Sequence, residues 1–349
     1  MEARLAPRRR RSELSADDAR ARLIALAAAY RDGTLGAPSP FFPAPERPAV
    51  RLTPVGEGPL GTQVVDLAYP SEYVPYLAAA RDPHQRATDN LTARARWWTQ
   101  GRNRPTLVMI HGWGGGHPWL SERAFGVPYW LRHGYDVAAF VMPHHGARAP
   151  GSRVLRSGTH FPSLNPLRTN EAFGQAIHDL RALARFLRER GATAIGAIGM
   201  SLGGYTTGLW ASVAGPADVG GLDLAVAIIP AVSLAKLMWD HGADHPERAR
   251  AVRGGIDVDL LADAFAVHAP TTRPARVPRE RRFVIAGERD QITPPEQAEA
   301  LAAHWGVPVR WFAGGHLAQL GRADAIRALR RALGALDLPG RVFRGEGGR

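Results

Sequence analysis

Beyond about residue 105, short unbroken apolar runs alternate with amphipathic stretches, and this rhythm restricts the fold more than any other feature of the chain. "TLVMIHG", "YDVAAFVMP", "AIGAIGM", "LDLAVAIIPA", "RRFVIAGE" and "VPVRWFAG" read as strands. A strand apolar on both faces is buried on both, as in a parallel sheet covered by helices. Between them, "SERAFGVPYWLRHG", "NEAFGQAIHDLRALARFLRERG", "LGGYTTGLWASV", "PPEQAEALAAHWG" and "RADAIRALRRALGAL" read as helices. In the second of these, Ala172, Ala176, Leu180, Leu183 and Leu187 recur near helical spacing. Repeated β-α units of this kind predict an α/β protein with a doubly wound, mainly parallel sheet.

The rest of the chain is arranged around that core. A helix is expected from Ser15 to Tyr30, with Ser15 as N-cap, Asp17 and Asp18 in the first turn and Gly33 after its end. Residues 36–48, "GAPSPFFPAPERP", read as an extended proline-rich connector. This divides the chain into an N-terminal helix and connector, 1–48, and a main domain, 49–349. "AVRLTPV", "TQVVDLAYP" and "TARARWWTQ" are expected to form an antiparallel edge leading into the main sheet. Residues 233–277 are too long for a single crossover. They hold two helix-like stretches, "SLAKLMWDH" and "IDVDLLADAFAVH", and are expected to form a small lid above the carboxyl edge of the sheet.

Composition excludes several classes. The hydrophobic fraction of 45% suits a globular chain with a sizeable core. No uncharged apolar run reaches the roughly 18 residues of a membrane span. Charges recur too often after Arg8–Arg11 for a secretory leader, so a cytoplasmic location is expected. The absence of cysteine rules out disulfides, a thiol nucleophile and thiolate metal sites. The formal charge is +12, carried almost wholly by arginine, with Lys236 the single lysine. Those arginines are scattered and often stand beside Asp or Glu. No nucleic-acid partner is therefore expected, only a weak attraction to anionic surfaces. The Arg8–Arg11 run reads as a solvated tail.

The chemistry concentrates in loops that follow strands, where ligands bind in an open parallel sheet. "GMSLGGY" puts Ser201 between Gly199 and Gly203, just after a strand and before a helix. That is the arrangement of a nucleophile elbow. A serine needs a base, an orienting acid and an oxyanion hole. The order nucleophile, acid, histidine is met by Ser201, Asp290 and His316, each in a strand-end loop. Glu288 is a second candidate for the acid, but the later loop position favours Asp290. Asp290 could instead cap the next helix, although Thr293 reads as the better cap. Asp259 and Asp263, in the insertion, are distant outsiders. The backbone N–H groups of Leu202 and of Trp113 in "HGWGGG" are the expected oxyanion donors.

The histidines His111, His117, His144, His145 and His160 raise a metal reading. No carboxylate joins them at ligand spacing and no H-E-x-x-H occurs, so neither metal nor other cofactor is expected. His111 is expected to fix the oxyanion loop, and His144 and His145 to line the pocket rim or hold loops. Trp113, Trp119, Trp239 and Phe265 read equally well as acyl-pocket residues or as packing. Trp239 and Met238, in the lid, are the candidate substrate contacts.

"HGWGGG", "GMSLGG", "AGERDQITP" and "AGGH", in this order and at these separations, resemble the α/β-hydrolase superfamily over about residues 50–335. The region "PHHGARAPGSRVLRSGTHFPSLNPLRTNEAFGQAIHDLRAL" is similar to the dienelactone hydrolase-like, prolyl-oligopeptidase-like branch, in particular to proteins like α/β-hydrolase domain-containing protein 18. The resemblance implies a cofactor-free serine hydrolase acting on a small-molecule ester, and it leaves the substrate open. Peptidase, thioesterase, lipase and acyltransferase activities share the same triad. A prolyl-type peptidase is disfavoured, because too few residues precede "HGWGGG" for a propeller domain. A non-catalytic binding protein of the same fold is the rival from another class, and an intact Ser201, Asp290 and His316 argues against it.

Overall fold

The computed structural model describes residues 16–31, 34–152 and 156–335. Ser15, Gly33 and the Arg8–Arg11 run lie outside them. Nine strands form one sheet: β1 (Arg51–Glu57), β2 (Gln63–Pro70), β3 (Thr92–Thr99), β4 (Arg104–Ile110), β5 (Asp136–Val141), β6 (Ala192–Met200), β7 (Leu224–Ile228), β8 (Arg282–Gly287) and β9 (Val309–Phe312). Their spatial order is β1-β2-β3-β5-β4-β6-β7-β8-β9. β1, β2, β3 and β5 pair antiparallel in turn. Every pairing from β5 through β4 to β9 is parallel. The antiparallel edge and the parallel body both follow the expected pattern.

The helices are α1 (Ala16–Arg31), α2 (Ala78–Arg86), α3 (Pro118–Phe125), α4 (Val127–Arg132), α5 (Pro166–Glu189), α6 (Leu202–Val213), α7 (Leu234–His241), α8 (Pro246–Arg253), α9 (Val258–Phe265), α10 (Pro295–Trp305) and α11 (Arg322–Ala335). The two-residue period of the strands sorts side chains between two cores. Val108 and Ile110 of β4, with Ala138 and Phe140 of β5, face a core shared with α5, α6 and α10. Leu107 and Met109, with Val137 and Ala139, face a second core shared with α3, α4 and α11. Helices therefore cover both faces, and α6 is buried along its whole length.

Two expectations are corrected. The helix expected over 121–134 is two helices, because Gly126 turns left-handed at φ 62° and the second starts at Val127 with Pro128 in its first turn. A proline has no N–H to continue the first helix but suits the first turn of a new one. The insertion holds three helices rather than two. α8 escaped notice because none of its residues is buried and it therefore carries no apolar stripe; His245 caps it by accepting from the Glu247 N–H. The proline-rich connector is anchored on the domain: Phe41 and Phe42 sit in the first core, and the Arg181 guanidinium donates to the carbonyls of Phe42 and Pro43.

The insertion is held from two sides. α1 packs Leu23 and Ala27 against Ala264 of α9, and Arg31 pairs with Asp263 at 3.0 Å. On α6, the Tyr205 hydroxyl lies 2.7 Å from His268 Nδ1, just beyond α9. Among the described residues, no helix is long and apolar enough to cross a membrane.

Candidate active site

β6 runs into α6 through Ser201, whose φ of 56° and ψ of −115° are a strained conformation for a residue with a side chain. Only glycine permits the surrounding approach. A Cβ on Gly203 would stand 1.9 Å from the Ile110 carbonyl oxygen, and one on Gly199 would stand 1.9 Å from the Gly203 oxygen. The Ser201 N–H donates to the Ile228 carbonyl at 3.0 Å, so the turn is fixed from β7. The Ser201 hydroxyl makes no capping bond to α6.

The loop after β4 reaches the same point. A Cβ on Gly112 would lie 3.3 Å from Ser201 Cβ, which puts the Gly112–Trp113 backbone against the serine. Trp113 is thus one peptide from the Gly112 contact, and Leu202 directly follows Ser201 at the start of α6. His111 holds this loop, as expected. Its Nε2 accepts from the Met142 N–H at 3.1 Å, so Nδ1 carries the ring proton and donates to the Gly112 carbonyl at 2.7 Å. Burial, aided by His145 nearby, pushes the His111 pKa down to about 3, so the ring is neutral.

Sequence reasoning missed a second tether. The Ser157 hydroxyl donates to the Gly115 carbonyl at 2.6 Å and accepts from the Gly146 N–H at 3.0 Å. The indole N–H of Trp113 donates to the Gly158 carbonyl at 2.9 Å. No motif marks Ser157, because its role comes from a loop returning across forty-odd residues of sequence. His145 is buried beside His111, with ring centroids 5.0 Å apart. His144 and His160 instead line a cavity of about 390 Å³ between α2 and α5, none of whose lining residues is Ser201, Asp290 or His316. Among the described residues no group of three or more His, Asp or Glu is placed to hold a metal ion.

The loops after β8 and β9 bring Asp290 and His316 together, with His316 Nδ1 2.8 Å from Asp290 Oδ2. Asp290 is buried, whereas Glu288 points to solvent. Burial alone would raise the Asp290 pKa. The His316 hydrogen bond and the N–H groups of Thr293 and Ile292 outweigh it and hold the carboxyl below its ordinary value. An ionised Asp290 keeps the proton on His316 Nδ1 and leaves the Nε2 lone pair free. Among the described residues no hydrogen bond joins the Ser201 hydroxyl to His316. Such contacts are commonly long before substrate binds.

Thr293 is not the cap of α10. Pro294 occupies that position, and no side chain caps it. The Thr293 hydroxyl instead lies 3.0 Å from Asp290 Oδ2, 3.1 Å from the Ile229 carbonyl and 3.1 Å from His316 Nδ1. It therefore braces the acid–base pair against the end of β7. Asp290 both orients His316 and caps its own turn, because Oδ1 accepts from the N–H groups of Ile292 and Thr293. Asp290 therefore does not cap α10, and the helix-capping alternative weighed for it is not met.

The candidate substrate residues of the insertion lie elsewhere in their contacts. Trp239 packs under the Arg248 guanidinium at 4.9 Å, Met238 packs on the first core, and Phe265 is buried beside His268. The insertion does touch the acid loop, where His241 Nε2 lies 2.7 Å from the Ile292 carbonyl.

No protein-family model matches the chain. Two curated Mycobacterium tuberculosis proteins, from strains CDC 1551 / Oshkosh and ATCC 25618 / H37Rv and both described only as uncharacterized, are 32% identical to it over 246 residues. The match covers 68% of this chain and 56% of theirs, so the chain spans little more than half the length of the curated relatives it matches. Among solved structures it resembles the acetyl xylan esterase of Paenibacillus sp. R4, with a TM-score of 0.56 and 15% identity, over 93% of this chain and 95% of that one. It also resembles acetyl xylan esterase 1 of Thermoanaerobacterium sp. JW/SL YS485, with a TM-score of 0.56 and 15% identity, over 89% and 93% of the two chains. Identity this low carries architecture and not chemistry. With that likeness and the strand order described above, the chain has the α/β-hydrolase fold.

Proposed function

We propose that the protein is a serine hydrolase that cleaves carboxylic esters. The observation that carries this reading is the hydrogen-bonded pair of buried Asp290 and partly buried His316 at the carboxyl edge of the same sheet that holds Ser201 in a strained turn. A histidine held by an ionised carboxylate has no structural need to stand at the surface end of a sheet, whereas a general base does.

In this reading His316 Nε2 takes the proton from the Ser201 hydroxyl as Oγ attacks the ester carbonyl. The N–H groups of Leu202 and Trp113 hold the oxyanion of the tetrahedral intermediate. As the intermediate collapses, His316 Nε2 gives the proton to the departing alcohol, leaving an acyl group on Ser201 Oγ. Water then attacks by the reverse roles and releases the acid. The α6 N-terminus, with its unpaired N–H groups, favours the same negative charge. Residues 233–277 act as a cap over this edge, held to the Asp290 loop by the His241–Ile292 contact. The two structural relatives are acetyl esterases by name, which makes esters the first substrates to try.

The test is initial-rate hydrolysis of p-nitrophenyl acetate by the wild type and by Ser201→Ala, together with covalent labelling by a fluorophosphonate. Turnover and labelling that both vanish in the variant support the reading. Turnover that survives in Ser201→Ala refutes it.

A further inference from the structure

The loops that build this site also carry large apolar side chains out to solvent. Trp113 follows Gly112 and is 65% exposed. Ile292, two residues beyond Asp290, is 42% exposed, and Leu317, immediately beyond His316, is 85% exposed. Leu320 is 72% exposed. Consecutive Cα atoms are about 3.8 Å apart, so Leu317 and Ile292 are one and two peptide steps from the acid–base pair.

These are not residues on a loose segment. The turn after His316 is closed by bonds from the Gly315 N–H to the Ala318 carbonyl and from the Gly314 N–H to the Leu320 carbonyl, each 3.0 Å. The Gln319 side chain donates to the His316 carbonyl at 2.8 Å, and the Ile292 N–H donates to Asp290 at 2.9 Å. The backbone thus holds Ile292, Leu317 and Leu320 facing water in ordered turns. Single exposed apolar residues are ordinary, but a group of them around one functional point marks a surface that something apolar covers. Three of the four rim side chains are aliphatic and offer no donor or acceptor to a sugar hydroxyl. The fourth, Trp113, already spends its N–H on Gly158.

We propose that this rim selects the substrate, and that the site takes esters of medium-length or longer apolar acyl chains rather than acetyl groups on a polysaccharide. The inference rests on the esterase reading above. The acyl carbon sits at Ser201, and the chain runs outward across Leu317, Leu320 and Ile292, with the Trp113 ring on the oxyanion side. Covering these side chains removes apolar surface from water on both partners, so each methylene in contact adds to binding.

The experiment compares kcat/KM for p-nitrophenyl acetate and p-nitrophenyl octanoate, the latter below its micelle concentration, in the wild type and in the Leu317→Ser/Leu320→Ser double variant. Both positions are well exposed, and melting by circular dichroism checks that the variant folds. The wild-type octanoate-to-acetate ratio is expected to be roughly tenfold or more, and the double variant is expected to lower it by about fivefold. Ser201-dependent hydrolysis of acetate with a ratio at or below one, or with a ratio the substitutions leave unmoved, overturns this inference and leaves the hydrolase reading standing. A dimer in gel filtration that the double variant dissolves, with the ratio unchanged, assigns the rim to a second copy and also overturns it. Failure of both esters to show Ser201-dependent turnover removes the hydrolase reading and this inference together.

Discussion

The loops after β4 and β5 and the loops after β8 and β9 stand at the same edge of the sheet as Ser201, but they are built in opposite ways. On the β4–β5 side the chain is tied across itself, with His111 bonded to Met142 and Gly112, Ser157 to Gly115 and Gly146, and Trp113 to Gly158. On the β8–β9 side one pair, buried Asp290 and partly buried His316, is braced by Thr293, and its flanks reach solvent through Ile292, Leu317 and Leu320. The difference follows from the work each side is proposed to do. Donors to an oxyanion act only if they are fixed before charge develops, so that half is preorganised. The base must exchange a proton with serine, leaving group and water, so that half stays open to substrate.

The largest expected effect removes the proposed chemistry. Ser201→Ala should lower kcat by roughly 10⁶-fold, and His316→Ala by a similar factor, because triad members act as a unit. Initial rates with active-site titration check this, and unchanged melting shows that the fold is intact. Next comes the orienting acid. Asp290→Asn keeps an oxygen for the Ile292 and Thr293 N–H groups but presents an amide to His316 Nδ1. That amide favours the wrong tautomer, and kcat should fall by roughly 10⁴-fold. Full activity in Asp290→Asn would move the acid role to another residue.

A smaller effect tests the tied half. Ser157→Ala removes two bonds that hold the oxyanion loop but touches no reacting atom. The expected loss is roughly tenfold in kcat with KM little changed, because the loop acts on the transition state and not on ground-state binding. An equal loss through KM alone would show that Ser157 shapes the pocket instead.

The smallest effect is on stability. Burial, the main cause in each case, pushes the pKa of His111 and His144 down to about 3 and that of His145 to about 4, whereas an unfolded histidine titrates near ~6.5. The unfolded chain therefore binds more protons between these values, and stability rises with pH there. The contribution is complete above ~6.5 and is lost as pH falls toward the folded values. The melting temperature should hold above ~6.5 and fall steadily as pH drops from there toward about 4, the window those values define. In His145→Asn that slope should ease by about one proton, and an unchanged slope would show that His145 does not titrate on unfolding.

Much of this was legible before any coordinates. The apolar runs marked the parallel strands, since strands buried on both faces cannot alternate. Ser201, Asp290 and His316 were legible because each follows a strand, and a parallel sheet brings all such loops to one edge. Gly199 and Gly203 were legible as the small neighbours of an elbow. α8 was not, because a helix with no buried face has no periodic signature. The break at Gly126 was signalled by Gly and Pro128 together, yet the apolar residues on both sides masked it. Thr293 was misread because a threonine before a helix caps it by default, and only the position of His316 decides otherwise.

By itself the sequence determined the run of strands, their burial on both faces and the placing of Ser201, Asp290 and His316 in strand-end loops, because burial and turn chemistry are local or periodic properties. Only the tertiary structure decided what surrounds them. That Ser157 ties the loop after β4, that Thr293 braces Asp290 rather than a helix, and that Leu317 and Leu320 face water beside His316 depend on segments far apart in the chain. Contacts of that kind have no period and no motif, so they exist only once the sheet has brought their loops together.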